Sequence, residues 1–178
     1  MNQEPEPVDQ RVASAWHEAG HAVMALYLGG WIDAGGVEIN ERQNCSCTFV
    51  AGLDAWASER VTVLSCLAGW RSEHLWHEGE LLDAHLGDDA RALSAMRETR
   101  PEATEGELMQ RYADYAKQCD TILRKPEVWD AVERIAEKLI ECGRLSMADV
   151  VEAIGDDAAL IRPGKRPDPH SISRTPLR

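Results

Sequence analysis

The chain has 178 residues, a formal net charge of −12, 44% hydrophobic and 28% charged residues. That length holds one domain with a sizeable apolar core, in the ordinary balance of a globular protein. The acidity argues against a nucleic-acid partner, whose phosphate backbone needs a basic face, and no apolar run approaches the roughly 20 residues of a bilayer span.

The charge is unevenly spread. From residue 162 onward five basic residues face one acid, Asp168, and Pro163, Pro167, Pro169 and Pro176 fall in the same stretch. Residues 1–8 are acidic, contain Pro5 and Pro7, and lack the basic-then-apolar order of a signal peptide. We expect a disordered leader over 1–8, one folded domain over 9–160, and a basic, Pro-rich disordered tail over 161–178. Five cysteines, an odd number without framework spacing, suit a reducing compartment, and the expected location is cytoplasmic.

In chain order, Asp9 caps a helix predicted to run to about Leu28, where Gly29 and Gly30 stop it. Val12, Ala15, Trp16, Ala19, Val23, Leu26 and Tyr27 give it the three-and-four spacing of a buried face. Two short strands are predicted over 36–40 and 47–51, joined as a hairpin through the polar residues 41–44. Asp54 then caps a second long helix to about His77, with Val61, Leu64, Leu67, Ala68 and Leu75 as its core stripe. Residues 78–87 read as a loop, followed by helices over 88–99 and 102–124. Pro126 favours the first turn of another helix, which presents Val128, Trp129, Val132, Ile135, Ala136, Leu139 and Ile140 and ends at Gly143. Ser146 and Asp149 form a capping-box pattern before a last helix that ends at Gly155. The expected class is mainly α with a small β-sheet, α+β.

The chemistry-bearing motif is His17-Glu18-Ala19-Gly20-His21, an H-E-x-x-H pattern on the first helix. Histidines four apart lie on one face, so both imidazoles reach one zinc ion. Glu18 is placed to accept a proton from a water on the open side of that ion. With six histidines in the chain, such a pattern is expected by chance about 0.02 times. Two satisfied core histidines beside a surface Glu would leave two polar rings on a face that otherwise reads as buried. Gly20 in mid-helix costs about 1 kcal/mol against Ala, which is tolerable where another backbone or a substrate must come close.

His17 to Ala22, HEAGHA, resembles the zinc helix of the FtsH-type ATP-dependent zinc proteases. Leu67-Ala68-Gly69-Trp70-Arg71-Ser72-Glu73-His74-Leu75 is similar to that family's LGGRAAEEL helix, with Trp70 where the family usually has Arg. Asp88-Asp89-Ala90-Arg91-Ala92 is similar to its D-L-x-x-A segment, and residues 131–150 to its closing helices. The resemblance spans about residues 10–155 and implies a helical, FtsH-peptidase-like fold holding Zn2+. It also implies that the leading Asp, here Asp88, is the third zinc ligand. Asp89 and His85 are the alternatives and Glu73 an outsider; a position about 100° round the helix from Asp88 would turn Asp89 to solvent or a nearby Arg. That family joins its peptidase to membrane helices and an ATPase, whereas this chain has no apolar span and no G-x-x-x-x-G-K-[ST] loop.

Other features are weaker. His74 and His77 read as a solvated helix end rather than a second metal site, and Cys45 and Cys47 as a half-buried pair on one strand face. The expected function is therefore a zinc metallopeptidase that works without ATP on peptides or unfolded segments, or on proteins delivered by a partner. His17, His21 and Asp88 would hold zinc and Glu18 would be the base. Substrate would lie extended along an exposed edge of the small sheet. The competing expectation is a catalytically silent, zinc-stabilised binding or regulatory module.

Overall fold

The computed structural model describes residues 9–39, 46–50, 55–77 and 86–155. The expected leader, the last residues of the expected domain (156–160), the expected tail over 161–178, the hairpin turn at 41–44, Cys45, Asp54 and His85 lie outside these, as does the side chain of Cys47. Helix α1, Gln10–Tyr27, begins where the Asp9 carboxylate accepts from the Arg11 backbone N–H at 2.9 Å. It ends where Gly29 turns left-handed at φ 76°, a conformation that Cβ-bearing residues resist. From Ala15 to Leu26 every residue is buried, so α1 is a central helix rather than a surface one.

Strand β1 is Trp31–Glu38 and β2 is Ser46–Val50, paired antiparallel. β1 starts five residues earlier than expected. Ile32 pairs with Phe49 but Val37 with Cys47, so the partner advances two residues while β1 advances five. The Asp-Ala-Gly-Gly stretch between them bulges out of register and hides the strand's alternation. Gly36 sits there at φ 74°, and a Cβ would strike the Leu145 carbonyl oxygen. Leu145 belongs to a third strand, β3, Arg144–Leu145, which completes a sheet of order β2-β1-β3. Two residues carry no periodicity, and nothing in the sequence announced β3.

Helix α2, Ala55–Trp76, lies against α1. Of its expected stripe, Val61, Leu64, Leu67 and Ala68 are buried and Leu75 half-buried, and Val63 and Cys66 are buried as well. Helix α3 is Leu86–Thr99, two residues longer at its start than expected, so Asp88 sits inside the first turn. Helix α4, Glu105–Leu123, starts three residues later than expected. Thr104 and Glu107 close a capping box there, each side chain bonding the other's backbone N–H, and this fixes the start more firmly than the preceding Glu102. Helix α5, Pro126–Cys142, opens on proline and closes on left-handed Gly143. Helix α6, Met147–Ile154, has the Ser146–Asp149 box and stops at Gly155. The fold is thus mainly helical with one small antiparallel sheet, and among the described residues no helix is long and apolar enough to cross a membrane.

Two features set α2 and α4 rigidly. Glu59 of α2, 2% exposed, accepts from Arg111 Nε at 2.6 Å and Tyr115 Oη at 2.8 Å, both on α4, and from Thr99 Oγ1 at the end of α3. Burial alone would raise its pKa, but these donors hold it below the ordinary carboxylate value. Further along, Arg71 Nη1 contacts both oxygens of Asp120 at 2.5 and 2.6 Å. Trp16 of α1 stacks with Trp76 at the end of α2 and with Trp129 of α5, ring centroids 5.6 and 5.4 Å apart; Trp129 itself is half-buried.

Candidate metal centre

α1 supplies three polar side chains to the interior: His17, Glu18 and His21, only 6%, 4% and 4% exposed. One helical turn separates the two imidazoles, whose rings meet edge to face with centroids 4.6 Å apart. Burying such groups is costly unless each polar atom finds a partner, and α2 supplies the outer partners. His21 Nδ1 lies 2.6 Å from the Ser65 carbonyl oxygen. A carbonyl only accepts, so Nδ1 donates and the lone pair is left on Nε2. His17 Nδ1 faces the buried Glu73 carboxylate at 3.5 Å.

The inner nitrogens face α3. His17 Nε2 and His21 Nε2 lie 3.0 and 3.1 Å from one atom, Asp88 Oδ2. The three candidate ligand atoms all lie within 4.8 Å of one another. Ligands about 2.0–2.1 Å from a tetrahedral zinc stand about 3.3 Å apart, close to the two spacings seen. Two imidazole nitrogens and a carboxylate oxygen gathered this closely are a donor set that suits a cation, and the group could hold a metal ion. No other such group occurs among the described residues.

α1 and α2 come close enough for this because each presents glycine to the other. A Cβ on Gly20 would lie 2.8 Å from Ser72 Cβ and nearer still to Ser72 Oγ and the Ala68 carbonyl. A Cβ on Gly69 would lie 2.5 Å from His21 Nε2 and 2.7 Å from His17 Nε2. Both glycines stand in helix interiors, where the residue type is disfavoured. The close approach expected at Gly20 is present, whereas the role of Gly69 was missed. Its signal was a second mid-helix glycine inside a segment otherwise reading as core.

The remaining candidates separate clearly. Glu73 sits behind His17 rather than among the inner atoms. Asp89, expected to meet solvent or an Arg, instead accepts from Tyr112 Oη of α4 at 2.5 Å and is half-buried. The helix packs on α4 at that point, which the sequence of α3 alone does not reveal. His74 and His77 are both exposed at the end of α2, as a solvated helix end should be.

The charges are strongly coupled. Burial works against a charged His17, but its hydrogen bond to Asp88 and the nearby Glu73 carboxylate outweigh that and raise its pKa to about 10. Asp88 moves the opposite way: burial alone would raise it, yet His17 and His21 hold it well below the carboxylate range. Burial raises the pKa of Glu18 against the pull of His21 and His17, and its Oε2 has no hydrogen-bond partner among the described residues. At neutral pH the metal-free centre therefore keeps a proton on His17, which an incoming cation must displace. If the group takes up a divalent cation, binding at pH 7 is expected to release at least one proton and affinity to rise roughly tenfold per pH unit. Titration calorimetry in buffers of different ionisation enthalpy measures this; binding without proton release would contradict it.

Compared with known proteins, the chain matches no family model and no curated sequence.

Proposed function

We propose that the chain is a zinc-dependent peptidase that hydrolyses peptide bonds in peptides or flexible protein segments without ATP, with a centre like that of the FtsH-type peptidases. The observation that supports it best is the convergence of His17 Nε2 and His21 Nε2 on Asp88 Oδ2, beside a buried Glu18 with an unpartnered oxygen. A His/His/carboxylate set suits zinc and leaves a fourth position open.

When bound, zinc would acidify a water and polarise the scissile carbonyl. Glu18 accepts the proton of the attacking water and passes it to the leaving amine. His17, His21 and Asp88 would hold the ion, while Glu73 and the Ser65 carbonyl keep the two rings turned inward. β2 is an outer strand of the sheet and packs against α1, the helix that carries the two histidines, and an extended substrate segment would pair with that edge.

Metal analysis of the purified protein, combined with cleavage of an unfolded protein such as casein, tests the reading. About one zinc per chain and chelator-sensitive cleavage without nucleotide are expected. Stoichiometric zinc without cleavage would leave a silent, metal-stabilised module; no zinc would remove both.

A further inference from the structure

We infer that Tyr112 positions the metal centre through Asp89, by locking the start of α3 so that Asp88 meets the two histidines. The inference rests on the metal reading above. Asp88 and Asp89 are consecutive in the first turn of α3, so their side chains leave the helix about 100° apart. One carboxylate faces His17 and His21 on α1, and the other accepts the Tyr112 hydroxyl on α4. Two attachments at such an angle fix the rotation of a helix about its own axis, which a single contact does not.

The support behind Tyr112 is firm. α4 is tied to α2 through Arg111 and Tyr115 on Glu59, and through Asp120 on Arg71. α2 in turn backs both histidines through Ser65 and Glu73. A closed circuit therefore runs from α1 through α2 and α4 to Tyr112, Asp89 and Asp88, and returns to α1. The opposite end of α3 is held separately, by Thr99 on Glu59 and Arg97 on Glu105 at 3.1 Å. Without the Tyr112 hydroxyl the far end stays anchored while the first turn can swing, and Asp88 is the residue displaced.

Zinc affinity and the visible spectrum of the Co2+ form test this in the full chain, beside thermal melting of the metal-free protein. Tyr112→Phe and Asp89→Ala should each weaken zinc binding about tenfold or more, the usual range for groups that orient ligands. The double variant should be no weaker than either single one, because both remove the same bond. Asp89→Asn should stay near wild type, since the amide oxygen still accepts from the hydroxyl. Tyr112→Phe should also alter the Co2+ bands, which report how the ligands surround the ion. Unchanged affinity and spectrum in Tyr112→Phe, even with a lower melting temperature, would overturn the inference, as would additive effects in the double variant. A wild-type protein that binds neither ion would remove the metal reading itself.

Discussion

Replacing Glu18 by Gln is expected to leave zinc bound and to lower peptide hydrolysis by about 10²–10⁴-fold. Glu18 follows His17 on α1 and is 4% exposed, so it cannot serve merely as a solvating surface carboxylate. Burial raises its pKa, which makes the ionised form a stronger base than an exposed glutamate. Its Oε2 lacks a hydrogen-bond partner among the described residues, an arrangement that costs stability unless a water or substrate occupies the position. Gln keeps the size and can still accept and donate hydrogen bonds, but it cannot take up the proton of an attacking water. Zinc content by mass spectrometry and turnover of a quenched peptide separate the two effects. Loss of zinc together with activity would make Glu18 a structural support, and undiminished turnover in contaminant-free protein would end the peptidase reading.

What the sequence revealed follows physical scale. Effects confined to one helix were legible: the Asp9 cap, the left-handed glycine after α1, Pro126 and Gly143 around α5, and the His17–His21 spacing all act within a turn or two. Effects that depend on another element were not. One local signal also went unread: the Thr104–Glu107 box, which satisfies the free N–H groups at the start of α4, lies inside the helix expected from 102. β1 was shortened because its bulge breaks the two-residue alternation. The partner of Asp89 lies 23 residues further on, on a different helix, and no local pattern encodes it. Asp88 is intermediate, since only a family resemblance singled it out, and the structure sets its carboxylate between the two imidazoles.

The glycine at position 69 carries the other large expectation, because it tests whether the helix contact builds the centre. Gly69→Ala would add a Cβ 2.5 Å from both Cε1 and Nε2 of His21 and 2.7 Å from Nε2 of His17. Those are the inner edges of the rings, so relief requires the rings or the helices to move. The rings have little freedom, with His21 bonded to Ser65 on the same helix as the new methyl and His17 set between Glu73 and Asp88. Separating α1 from α2 would open the close contact at Gly20 and Ser72 as well, and overpacking in a core typically costs about 1–3 kcal/mol. Either response displaces donor nitrogens that must hold their places to within about 0.5 Å. Zinc affinity should therefore fall about 100-fold or more, the upper range for changes that misplace ligands. Gly106→Ala is the control, since a Cβ there meets nothing within 4 Å and alanine is the better helix former. That variant should bind zinc as the wild type does and melt slightly higher. If Gly69→Ala melts lower but binds zinc with wild-type affinity, the close approach of α1 and α2 serves packing alone and the ligand set is held by other means.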